Sequence, residues 1–236
     1  MTNRSQYTAL IFIPKTQART PHHVSMGTPF LPPRIGSIED PLRLAVLISG
    51  GGSGLSSLLR FQAKEPRSHR TVLVLADSEE AGGLEHGRKS GIESKGIPVP
   101  TEHPISERRL AHEEIVERNL QSSGAELIVL SGYMRILTPS FVEKWKGRIV
   151  NVHPSLLPEF PGAHAHRDVL SAGVTMTGCT VHLVDEGVDS GPILAQREVP
   201  VMPDDDEASL QERVKLVEHV LYPEVIDLLC TGQISL

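Results

Sequence analysis

Only two cysteines, Cys179 and Cys230, occur among 236 residues. They stand far apart without metal or redox spacing, which excludes a disulfide-stapled scaffold and fits a reducing cytoplasm. Long apolar runs are also missing. None approaches the roughly 18 residues of a membrane span, and Ala9–Ile13 is only five residues long. Basic charge is in deficit: 23 Lys and Arg face 29 Asp and Glu, a formal net charge of -6, so there is no basic face of the kind duplex nucleic acid requires. Residues 1–38 lack acidic side chains altogether, whereas Arg4, Lys15, Arg19 and Arg34 supply cations. Organelle transit peptides share that composition, but prolines at 14, 21, 29, 32 and 33 would break an amphipathic helix. Residues 1–41 are therefore read as a disordered arm, or as translation upstream of a start at Met26, preceding one domain over residues 42–236.

What is present is enough apolar content, 39% of residues, for one sizeable α/β core. Leu44–Ser49 is a continuous apolar run, Gly50–Gly54 a glycine-rich loop, and Leu55, Leu58 and Leu59 take up helical spacing. Strand, glycine loop and helix make the first unit of a doubly wound sheet. The backbone amides of Gly52, Ser53 and Gly54 at that helix start offer a seat for phosphate, although a plain tight turn has the same composition. The spacing matches neither a Gly-Lys-Ser/Thr phosphate loop nor a full dinucleotide fingerprint. Further strands are expected at Thr71–Ala76, Ile97–Pro100, Glu126–Ser131 and Arg148–Val152, with helices over Glu79–Ser90, Ser106–Ser122, Pro139–Trp145 and Arg167–Ala172. Thr177–Val184 and Pro192–Val199 read as an antiparallel hairpin, followed by a helix from Asp204 to about Leu221 that resumes after Pro223 as far as Leu229. The fold class is thus α/β: a mostly parallel, twisted sheet with helices on both faces and an antiparallel C-terminal hairpin.

Chemistry concentrates in Gly147-Arg-Ile-Val-Asn-Val-His-Pro-Ser-Leu-Leu-Pro158. Pro154 and Pro158 end the strand there, so Asn151 and His153, two residues apart, share one side at its carboxyl end. An amide donor beside a group that titrates near neutrality suits a developing oxyanion, and equally suits a structural strand end. Met134, Ile136 and Leu137 around Arg135 would make an apolar slot with one cation, or simply core. His164 and His166 lack further ligands at metal spacing, so no metal is expected. Lys215 and Glu218, three apart on the last helix, share a face.

In this order the glycine loop, Tyr-Met-Arg-Ile-Leu, Asn-Val-His-Pro-Ser-Leu-Leu-Pro, Phe-Pro-Gly-Ala-His-Ala-His, Thr-Val-His, Val-Asp-Ser-Gly-Pro and Val-Glu-His-Val-Leu-Tyr-Pro resemble the folate-dependent formyltransferases, over residues 43–229. The resemblance implies a cytoplasmic enzyme, monomer or homodimer, that passes the formyl group of 10-formyltetrahydrofolate to the amine of phosphoribosylglycinamide. It implies Asn151, His153 and Asp189 as the catalytic trio. It further implies Gly52, Ser53, Gly54, Lys215 and Glu218 at the ribose and phosphate, and Arg109, Met134, Arg135, Ile136, Leu137, Asn151 and His182 around the folate. Two departures fall on the acceptor half. The family often has Asn where this chain has Gly54, and Ala76-Asp-Ser-Glu-Glu80 is acidic where the family tends to Ser-Asn-Lys. A sibling enzyme acting on a sugar-nucleotide amine, or a catalytically silent folate-binding homologue, are the alternative readings.

Overall fold

Apolar runs bounded by glycine or proline become strands, and the intervening stretches with leucine and valine three and four apart become helices. The computed structural model describes residues 34–234. Its seven strands are β1 (Leu42–Ile48), β2 (His69–Ala76), β3 (Glu93–Gly96), β4 (Leu127–Leu130), β5 (Ile149–His153), β6 (Met176–Leu183) and β7 (Ile193–Pro200). The helices are α1 (Ser53–Lys64), α2 (Leu84–Lys89), α3 (Arg108–Ser123), α4 (Pro139–Lys144), α5 (Ala165–Ala172) and α6 (Glu207–Cys230). All strands join one sheet in the order β3-β2-β1-β4-β5-β6-β7. Strands β1 to β5 run parallel, and β6 and β7 are antiparallel to their neighbours. From β1 the chain winds toward β3 and then returns to lay β4 on the other side. The crevice between the carboxyl ends of β1 and β4 is therefore the switch point, where sheets of this kind bind ligands.

Two cores flank the sheet. Leu44, Val46 and Ile48 of β1 pack with Leu55 and Leu58 of α1 and Leu210, Val214 and Leu221 of α6. Ala45 and Leu47 face the other way, onto Val116 and Leu120 of α3 and Phe141 and Trp145 of α4. Burial on both faces is why these strands read as unbroken apolar runs. In β5, Val150 lies in the first core and Ile149 in the second. Asn151 and His153 thus turn toward the α3 and α4 side, at the strand's open end.

The third strand differs from expectation: β3 is Glu93–Gly96, and Ile97–Pro100 follows it as irregular chain. Pro98 and Pro100 have no amide to donate, and the Ile97 amide reaches β2 at the Ala76 carbonyl, 2.7 Å away. The strand does lie at the sheet edge. Helix α2 starts five residues later than expected, because residues 79–83 form turns in which the Gly83 amide donates to the Gly50 carbonyl of the glycine loop (3.0 Å). Helix α3 starts at Arg108 instead of just after Ser106, with Glu107 at its N-cap and no side-chain cap bond. Helix α6 does not pause at Pro223 but runs through it, 24 residues in all. Burial of Leu221, Tyr222, Val225 and Ile226 outweighs the lost amide, and the Tyr222 hydroxyl lies 2.8 and 2.9 Å from the Leu130 and Val150 carbonyls, sharing its proton between them. At the other end Asp206 and Ser209 form a reciprocal cap.

Of the expected arm, residues 1–33 lie outside the described residues. The remainder is tied to the domain: Arg34 pairs with Glu126 at 2.8 Å, and the Gly36 amide donates to the Cys230 carbonyl at 2.9 Å. No helix among the described residues is long and apolar enough to cross a membrane.

Candidate active site

Register brings the central residues together. Asn151 of β5 is paired with His182 of β6, and His153 with Thr180. Burial lowers the His182 pKa, which favours the neutral ring, and its Nδ1 lies 2.9 Å from the Leu183 carbonyl, where only an N–H can bond. Its Nε2 is therefore a lone pair, and the Asn151 amide donates to it at 3.2 Å. His182 thereby fixes which end of the Asn151 amide is nitrogen, with the second N–H left for a ligand.

His153 is 4% exposed. Its Nε2 lies 2.8 Å from the Phe160 carbonyl and its Nδ1 3.3 Å from Asp189 Oδ2, so both nitrogens face acceptors and the ring is held as a donor. Asp189 comes from the loop between β6 and β7 at φ 51°, the left-handed region, which swings its carboxylate back over the sheet. The Gly162 amide donates to the same Oδ2 at 2.8 Å, and Oδ1 lies 3.7 Å from His182 Nε2. Asp185 secures this loop by accepting from the Gly187 amide (3.0 Å) and the Ser190 hydroxyl (2.8 Å). Amide, imidazole and carboxylate converge although the chain supplies them from two distant segments.

Leu130 is the partner of Asn151 in register, so the loop from Ser131 to Leu137 leaves β4 right beside it. That loop borders a cleft of about 380 Å³ lined by Tyr133, Met134, Arg135, Ile136, Leu137 and, from α3, Arg108, Arg109, His112 and Glu113. Met134 and Ile136 are exposed toward it, at 72% and 67%, which makes them available apolar surface instead of core. Arg109 has no ion pair among the described residues, whereas Arg108 is spent on the carbonyls of Thr101 and His103. Arg135 turns its guanidinium to Asp77, 3.0 Å away. Asp77 belongs to the acidic loop after β2, so a cation of the 131–137 loop answers this carboxylate. Asn151 and His182 do not line the cleft itself but sit where its loop departs.

Three supporting contacts escaped the sequence reading. Buried Glu113 accepts from the Thr138 amide at 2.7 Å and from the Thr138 hydroxyl, and Thr138 in turn caps α4 by accepting from the Phe141 amide at 3.3 Å. It thereby pins the far end of the 131–137 loop to α3. Asp185 and Asp77 act as just described. All three rest on acids in ordinary-looking loops or on a helix rich in charge, so only the fold reveals their partners.

At the glycine loop, Gly52 adopts φ 65° at the N-cap of α1, and a Cβ there would lie 2.8 Å from Gly83 Cα. Glycine is required on both counts. A Cβ on Gly54 would approach Ser131 Oγ to 2.5 Å. Ser53 opens the helix, exposed. Lys215 and Glu218 lie on α6, which shares a core with α1. No hydrogen bond or ion pair among the described residues joins them to the glycine loop. Burial pushes the Glu218 carboxyl up to about 7, with the Lys215 cation opposing. No group of three metal-ligating side chains occurs among the described residues.

The family model named formyl transferase matches residues 42–226. The chain belongs to the formyl transferase family. It is 36% identical to the phosphoribosylglycinamide formyltransferase of Escherichia coli (strain K12), covering 83% of this chain and 90% of that protein. It is 43% identical to the trifunctional purine biosynthetic protein adenosine-3 of Bos taurus, over 82% of this chain but 19% of that protein, so it spans about a fifth of such relatives. Among solved structures, glycinamide ribonucleotide transformylase 1 from Symbiobacterium toebii superposes with a TM-score of 0.77 at 39% identity, covering 81% of this chain and 89% of that one. The sheet is the doubly wound one expected from the sequence.

Proposed function

We propose that this formyl transferase moves the formyl group of 10-formyltetrahydrofolate to the glycinamide amine of phosphoribosylglycinamide, a step of purine biosynthesis. The observation that carries the reading is the contact of Asp189 with His153, 3.3 Å, on the strand face that also bears Asn151. The neutral amine attacks the formyl carbon, and the carbonyl electron pair moves onto oxygen. The free N–H of Asn151 and a proton of His153 stabilise that oxyanion. His153 becomes available by giving up the Phe160 carbonyl, since Asp189 is anchored by Gly162 as well. The carbon–nitrogen bond to the folate then breaks, and the amine's proton passes to the leaving folate nitrogen, with Asp189 holding the imidazolium. No acyl-enzyme is required.

Arg109 is positioned to pair with the folate's glutamate tail, and the exposed faces of Met134, Ile136 and Leu137 with its ring system; Arg135 contributes backbone while Asp77 engages its side chain. Gly52, Ser53 and Gly54 with Lys215 seat the ribose phosphate, and ionised Glu218 receives the acceptor's amine. The reading implies a cytoplasmic protein, monomer or homodimer, acting on small molecules. It is tested by mixing the protein with a 10-formyl-dideazafolate and phosphoribosylglycinamide and following loss of the formyl donor. Turnover with this acceptor supports the reading; turnover only with an amino sugar nucleotide would move the assignment to a sibling activity.

A further inference from the structure

The crevice between the carboxyl ends of β1 and β4 contains a hydroxyl, on a buried residue, that the chemistry above leaves unused. Ser131 follows β4 directly, its amide donates to the Leu47 carbonyl at 2.9 Å, and the residue is 8% exposed. Its hydroxyl makes no hydrogen bond among the described residues, and it is the part of this otherwise buried residue left open to the crevice. It points at the first turn of α1, since a Cβ on Gly54 would lie 2.5 Å from it. That turn is short of partners too. Its N-cap Gly52 supplies no side-chain bond, no acidic residue stands in it, and the Ser56 amide is the first to bond back, to the Gly52 carbonyl at 2.8 Å. Unpaired amides of the first turn and an unpaired hydroxyl beside Gly54 thus lie together in the crevice, a set of available donors suited to an anionic oxygen.

We propose that Ser131 binds the acceptor's phosphate, its hydroxyl donating to a phosphate oxygen seated on the first turn of α1. The inference rests on the reading that the acceptor is a ribosyl phosphate, and it makes sense of Gly54: the donor stands on β4, and glycine at 54 leaves it room.

The test has two arms. In turnover, Ser131→Ala raises the KM for phosphoribosylglycinamide about tenfold, as expected for a bond to a charged group, while the formyl donor's KM, kcat and the melting temperature stay unchanged. An unchanged acceptor KM overturns the proposal. In calorimetric titration with ribose 5-phosphate, which needs no turnover, the variant binds more weakly than the parent; equal affinity, or no binding to the parent, overturns it. Lack of turnover by the parent together with weakened ribose 5-phosphate binding by the variant would sink the assigned acceptor but sustain Ser131. Moving the donor, in Ser131→Ala/Gly54→Asn, restores the acceptor's KM.

Discussion

Replacing Glu218 by glutamine isolates one charge whose energetic weight can be worked from its surroundings. The side chain is half-buried on α6, and burial raises its pKa from 4.5 to about 7. At roughly 1.4 kcal/mol per unit, the shift corresponds to about 3 kcal/mol between protonated and ionised forms. Its folded pKa lies above the unfolded one, so the stability it contributes is fully present below about pH 4.5 and is lost as pH rises through about 7. Glutamine cannot ionise and abolishes that loss, whatever constant penalty its amide adds. Urea unfolding of both proteins at pH 5 and pH 8 measures the difference: the variant's stability relative to the parent improves by roughly 2–3 kcal/mol at the higher pH. The same titration governs binding if Glu218 receives the amine, so the parent's KM for acceptor falls as pH rises through about 7, and the variant's does not. A stability difference that is equal at both pH values would refute the reasoning.

Asn151→Ala and His153→Ala each lower kcat by about 10²-fold or more while changing substrate KM little, which steady-state kinetics on both substrates will read. Lys215→Ala raises the KM for acceptor with kcat largely kept; an unaltered KM would remove Lys215 from the phosphate. Glu113→Ala strands the buried amide of Thr138, at about 1–3 kcal/mol, and leaves its hydroxyl only Ser140 Oγ at 3.0 Å, so the urea midpoint falls and the formyl donor's KM rises as the 131–137 loop loosens.

The parts legible in the sequence were those written in local chemistry. The strands from Leu44, Thr71, Glu126 and Arg148 declared themselves as apolar runs ended by Gly or Pro, and period-two spacing put Asn151 and His153 on one side. Strand β3 was hidden because Glu93-Ser-Lys-Gly96 pairs through its backbone at a solvated edge, where hydrophobicity carries no signal. Helix α6 was read as interrupted because Pro223 is a breaker by propensity, and the compensating Tyr222 contacts come from strands far away in the chain. The partner of Asp77 was hidden for the same reason: the acidic loop after β2 gives no sign in sequence of Arg135, found 3.0 Å away. His182 as the group that orients Asn151, and Ser131 as a hydroxyl without a partner, are statements about register and close approach, which no single-chain pattern records.

Whether His153 and Asp189 work as one unit can be measured with a double-mutant cycle on kcat/KM, using His153→Ala, Asp189→Asn and the pair. If the carboxylate acts through the ring it touches, each single change costs about 10²-fold or more and the double variant loses little beyond the worse single. Losses that multiply in the double variant would mean the two groups act independently, and that outcome would contradict the account.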